Sequence, residues 1–138
     1  MYEIPVSAQS RDTVDHLVET FAALWLRASD PAVGNAVVAD PILVLGPSGT
    51  TVVPRATFLG AIAQRASAVD DLAQATTTLV DCTSVPLGDP IVLATIRWMF
   101  RRGDSARELV SDFLLEREDD GLRCVAYLPR TNVMDGLT

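Results

Sequence analysis

The chain has 138 residues, 49% of them hydrophobic, and a formal net charge of −7 from 18 acidic residues against 11 arginines, with no lysine. That is enough chain to bury one core and too little for two ordinary domains. The acidic balance argues against a sequence-independent phosphate-binding surface and so against a nucleic-acid partner, and the missing lysine excludes Schiff-base catalysis and the point-charge lysine of a P-loop.

No basic stretch followed by an apolar run opens the sequence, and no apolar segment approaches the roughly 20 residues of a membrane span. A cytoplasmic protein with no membrane partner is therefore expected. Cys82 and Cys124 stand far apart without metal-ligand spacing and read as free thiols in a reducing compartment. The single histidine, His16, has no second histidine to complete a metal site or to serve as base for a Ser or Cys nucleophile. Neither a metal nor a cofactor is expected.

In chain order, residues 1–11 are mixed in character and carry Pro5, which suits a loosely held arm ahead of a single domain over 12–138. From Asp12 or Thr13 as N-cap, the residues Val14, Leu17, Val18, Phe21, Leu24, Trp25 and Ala28 recur at helical spacing, and His16 falls on the solvent flank. Pro31 opens a second, short helix to about Val38, which Asp40 and Pro41 end as a turn. The run Ile42 to Leu45 reads as a buried strand, turned by Gly46, Pro47, Ser48 and Gly49 into a second strand at Thr50 to Val53. Pro54 opens a third helix with Phe58, Leu59, Ile62 and Ala66 on one face, ending before the Asp70 and Asp71 pair.

The rest reads as four strands: Thr76 to Val85, Ile91 to Arg102, Ala106 to Glu118 and Leu122 to Leu128. Gly103 and Asp104 form a two-residue turn that pairs Arg102 with Ser105, while Asp120 and Gly121 form another that pairs Asp119 with Leu122. The first register sets Trp98 against Leu109, Ile96 against Ser111 and Ala94 against Phe113, an apolar face with Val92, Phe100 and Leu115 that should meet the helices. The opposite face carries Leu93, Thr95, Arg97 and Met99 against Leu114, Asp112, Val110 and Glu108. Its apolar content is too high for a plain solvent surface and suggests a subunit interface. Arg97 and Asp112 are diagonal neighbours there, with Asp81 on the adjacent strand, and the second register brings Tyr127 to the same face.

This element order, with "LWLRASDPA" closing the first helix, "VVADPILVLGPSGTTVVPRATFLGAI" running through the hairpin and "SDFLLEREDDGLRCV" at the last turn, resembles the nuclear transport factor 2-like, or cystatin-like, superfamily. Within it the chain looks like the SnoaL-like and ketosteroid-isomerase-like members. The resemblance implies an α+β fold, with N-terminal helices packed on a strongly curved antiparallel sheet to form a cone-like domain around an apolar cavity. It also implies a homodimer through the outer sheet face. A pocket lined by Phe21, Trp25, Leu45, Phe58, Ile62, Trp98, Phe100 and Phe113 follows from it.

The isomerases' chemistry needs a carboxylate base, a tyrosine donor and a protonated aspartic acid. On this resemblance the base position falls on Gly46, the tyrosine position near Phe21 and Ala22, and the aspartic acid position on Phe113. None of these residues can do that work. The leading expectation is a small dimeric protein whose apolar pocket takes a hydrophobic small molecule, with no catalytic carboxylate in it. The alternatives are a SnoaL-like cyclase or isomerase using Asp112 with Arg97 or Tyr127 to move a proton next to a carbonyl, and a non-catalytic dimerisation or partner-binding module with a filled core.

Overall fold

The computed structural model describes residues 4–47, 49–70, 75–119 and 121–130, with side chains from Val14 onward except those of Val69 and Asp70. Helix α1 spans Ile4–Trp25 and so starts eight residues before the Asp12 expected from the sequence. Pro5 sits in its first turn, where a missing N–H leaves no bond unmade. Val14, Val18, Phe21 and Ala22 are buried along one stripe of α1, and His16 is exposed. A tight turn follows, with Arg27 N–H donating to the Leu24 carbonyl at 2.9 Å and Ala28 N–H to that of Trp25 at 3.1 Å.

Asp30 caps α2 (Pro31–Val37), its carboxylate accepting from the Ala32 N–H at 3.0 Å. This is the N-cap chemistry that makes Asp before Pro a helix start. Strand β1 (Val38–Gly46) follows with no intervening turn. Asp40, expected to be a turn residue, lies inside β1 and accepts from the Arg55 backbone N–H at 3.1 Å, which satisfies a free donor at the start of α3 (Arg55–Asp70). Strand β2 (Gly49–Val53) pairs with β1 from Gly46↔Gly49 to Ile42↔Val53. Ser48 of the intervening turn and Asp71 after α3 lie outside the described residues.

Strands β3 (Ala75–Gly88), β4 (Ile91–Arg102), β5 (Ser105–Glu118) and β6 (Gly121–Pro129) form an antiparallel meander. The six strands make one sheet in the order β2-β1-β6-β5-β4-β3. It is mixed rather than wholly antiparallel, because β6 returns beside β1 in a parallel pair. Helix α1 packs on β3 and β6, and α3 packs on β1 and β3.

The β4–β5 register is the expected one, with Arg102↔Ser105, Trp98↔Leu109 and Ala94↔Phe113, and Gly103 supplies the positive φ of 58° the tight turn needs. The β5–β6 register is not. Glu118 pairs with Gly121, so Gly121 (φ 146°) is a strand residue and the loop comprises Asp119 and Asp120, the latter outside the described residues. The ladder then shifts between Leu115↔Cys124 and Leu114↔Ala126, leaving Val125 as an extra residue. A bulge of this kind reverses which face every later residue presents.

Candidate functional site

Two surfaces of the sheet carry the expected site residues, and the ladder separates them cleanly. On the helix side, Trp25 ends α1 and meets Phe113 of β5 edge-on, ring centroids 4.8 Å apart at 76°. Phe58 of α3 stands 5.9 Å from Trp25 and 5.8 Å from Tyr127 of β6. Tyr127 is itself 5.4 Å from both Trp25 and Phe113, and Phe21 closes the group at 5.3 Å from Phe113 and 5.6 Å from Trp25. Every separation lies in the range of direct aromatic contact, about 4.5–7 Å. The five rings therefore form one cluster of direct contacts.

Of the other residues expected to line a pocket, Ile62 is partly buried and packs against this core. Trp98 is 5% exposed and faces inward, but its strand neighbours are Leu79 and Leu109, and it pairs with none of the five rings among the described residues. Phe100 is likewise buried. Leu45 does not belong with them, because Ile42 and Val44 face the core and strand alternation turns Leu45 outward with Leu43.

Tyr127 was expected on the outer face. The Val125 bulge brings it inward, 7% exposed, opposite Phe113. The one available signal was the unbroken apolar run from Val125 to Leu128, which fits neither face of a regular alternation.

On the outer face, Asp112 is 9% exposed. Its carboxylate accepts from the Thr95 hydroxyl and from the Arg130 Nε–H, both at 2.6 Å. Arg97 does not pair with it. The Arg97 guanidinium instead reaches Glu108 at 3.2 Å and Asp81 at 3.5 Å, the direct cross-strand partner on β3. The three catalytic candidates are thus dispersed: Asp112 and Arg97 sit in separate ion pairs outside, and Tyr127 is inside among aromatics. Cys124 is fully buried, and its Sγ–H donates to the Ala126 carbonyl at 3.2 Å. Burial pushes its thiol far above the ordinary 9.0, so it is no nucleophile.

Beside the ion pairs runs one cross-strand row of apolar residues: Val52, Leu43, Ala126, Leu114, Leu93 and Val85, each the register partner of the next. All six strands contribute. Val52 is 62% exposed, Val85 54% and Leu43 39%.

The sequence matches no protein-family model and no curated protein. Solved structures do match. An NTF2-like protein with a cystatin-like fold from Novosphingobium aromaticivorans is similar at TM-score 0.64 and 14% identity, over 99% of this chain and 97% of that one. An NTF2-like protein of unknown function from Pseudomonas putida is similar at TM-score 0.64 and 14% identity, over 91% and 88%. Another from Shewanella oneidensis is similar at TM-score 0.59 and 15% identity, over 86% and 96%. Identities this low speak to architecture alone, and what they establish is that this chain is an α+β protein with the nuclear transport factor 2-like fold.

Proposed function

We propose that the chain is a non-catalytic homodimer that pairs through the outer face of its sheet and keeps a filled aromatic core. The observation that carries this reading is the apolar row from Val52 to Val85, continuous across six strands. Five inter-strand spacings of about 4.8 Å make it about 24 Å long, the scale of a standard protein interface. The charges beside it suit burial against a second copy, because Asp112 is matched by Arg130 and Arg97 by Asp81 and Glu108 within the same face. A docking copy meets one ion pair and one arginine shared by two carboxylates, so a single negative charge per copy is left over.

The test is sedimentation equilibrium at micromolar concentration. The wild type sediments as a dimer, and Leu114→Arg, with its far-UV spectrum unchanged, as a monomer. A monomeric wild type ends this reading.

One observation favours a second reading, the hydrophobic-ligand protein. Trp25 is only partly buried and closes the aromatic group from the helix side, so rotation of that one ring opens a box walled by Phe58, Phe113 and Tyr127. Saturable quenching of tryptophan emission by a panel of steroids, polyketides and fatty acids supports it, and no quenching by any of them removes it. The SnoaL-like cyclase or isomerase reading has no such support, since Asp112 lies outside the helix-covered face with both carboxylate oxygens already bonded.

A further inference from the structure

Among the described residues, strand β3 ends the sheet order and pairs with β4 alone, so one of its edges presents backbone groups with no partner strand. Along it runs a groove of about 520 Å³ lined by the consecutive residues Cys82 to Pro86 and, across from them, by Asp15, Val18 and Glu19 of α1. Five residues in succession cannot line a cavity on one face of a strand, because alternate side chains point to opposite faces. Cys82, Ser84 and Pro86 pair with the inward-facing Ile96, Ala94 and Val92, whereas Thr83 and Val85 pair with the outward-facing Thr95 and Leu93. A groove that touches both sets is walled in part by the main chain of this stretch, beside α1 and next to the edge of β3 that has no partner strand among the described residues.

The edge is weakly guarded. Long edge strands are normally blunted by charges, by proline or by a cover. Here Val85 is 54% and Leu87 56% exposed, and Pro86 alone interrupts the donors of that stretch. The helix side of the groove is acidic, with Asp15 and Glu19 one turn apart on α1 and both exposed, and no arginine lines it among the described residues. The Asp15 carboxylate already reaches across to accept from the Ser84 hydroxyl at 2.9 Å. The Cys82 thiol reports the local field: burial first, and then the negative charges of Glu19, Asp81 and Asp15, push it above its ordinary value.

We infer that this groove takes an extended, basic peptide segment as a seventh strand beside β3. Main-chain bonds to the free edge supply the affinity, as in other strand additions. Alternation then divides the partner's side chains, with basic residues toward Asp15 and Glu19 and apolar residues toward Val85 and Leu87. The required partner sequence is thus an alternation of arginine or lysine with apolar residues. The site lies beside the sheet face proposed for dimerisation and shares Val85 with its apolar row, so peptide binding is also measured on Leu114→Arg, where loss of the dimer with binding kept separates the two readings.

The experiment uses the full chain and a fluorescein-labelled peptide of repeated Arg-Val, followed by anisotropy. Two control peptides go with it: one with Glu in place of Arg, and one N-methylated at alternate backbone nitrogens. Saturable binding is expected for the parent peptide alone, weakening as salt is added. The double variant Asp15→Asn, Glu19→Gln, at two exposed positions and checked for fold by circular dichroism, should bind about three- to tenfold more weakly, as loss of two solvent-exposed ion pairs dictates. Amide exchange should slow on the free edge between Cys82 and Val85 when peptide is bound. Equal binding by the Glu peptide, or no loss in the double variant, overturns the proposal. Equal binding by the N-methylated peptide overturns it too, because the groove then takes cations without adding a strand.

Discussion

Phe113 and Tyr127 face each other across β5 and β6 with ring centroids 5.4 Å apart, and they meet because Val125 bulges out of the ladder. Extending the pairing Leu115↔Cys124 without that extra residue puts Ala126 opposite Phe113 and turns the tyrosine outward. Tyr127→Ala should cost about 3–5 kcal/mol, the range for truncating a buried aromatic. Tyr127→Phe keeps every ring contact and should stay within about 1 kcal/mol. Urea unfolding at constant m-value measures both, and near-equal effects of the two changes would place the tyrosine outside the core.

That bulge also marks where the sequence stops being informative. Element order, the Trp98 and Phe113 face and the Gly103 turn were all legible, because turn chemistry and period-two alternation agree through β4 and β5. At the next turn Asp120 and Gly121 suit a two-residue loop that pairs Asp119 with Leu122, whereas the strands pair Glu118 with Gly121. That difference of two residues leaves the face of Tyr127 unchanged; the Val125 bulge alone turns it inward. The start of α1 is not legible for a different reason, since Pro5 reads as a breaker unless it lies in a first turn. Arg97 and Asp112 were placed correctly on one face, yet which arginine pairs with which acid depends on reach, and Arg130 reaches Asp112 from beyond the end of β6.

The Asp112 and Arg130 pair tests how much an outer-face ion pair contributes. The Asp112 side chain is 13% exposed and that of Arg130 59%, so the carboxylate is shielded while the guanidinium stays in water. A hydrogen bond to a charged group is worth about 1.5–3 kcal/mol, and solvent screening of Arg130 reduces the coupling to about 1 kcal/mol. A double-mutant cycle over Asp112→Asn and Arg130→Gln should return that value and fall with added salt. Coupling independent of salt would mean that packing, not charge, joins them.

Cys124 gives the protein an alkaline weakness. Its folded-state thiol stays protonated well above the ordinary 9.0 because burial disfavours the thiolate. In the unfolded chain the same thiol ionises near its ordinary value. The native state therefore holds the extra proton, its contribution to stability is complete below about pH 9, and it is lost as pH rises beyond that. The slope is about 1.4 kcal/mol per pH unit. Unfolding free energies measured on both sides of that point should diverge between wild type and Cys124→Ala, with the variant losing less on the alkaline side. Parallel curves would place the thiol in water.

Gly34 and Gly60 are both helical glycines, and helix propensity alone predicts a gain of up to about 1 kcal/mol on replacing either by alanine. Their surroundings separate them. A Cβ on Gly34 of α2 would lie 2.7 Å from the Ala28 carbonyl oxygen and 2.7 Å from Leu59 Cδ2. Leu59 can change rotamer, but the carbonyl belongs to the turn that joins α1 to α2 and cannot move without it. A Cβ on Gly60 of α3 meets nothing within 4 Å. Gly34→Ala should thus destabilise by about 1–2 kcal/mol, overpacking outweighing propensity, while Gly60→Ala should stabilise by about 0.5–1 kcal/mol. Thermal unfolding of the two single variants reads opposite shifts in Tm, and a stabilised Gly34→Ala would show that α2 does not approach the turn as closely as its backbone implies.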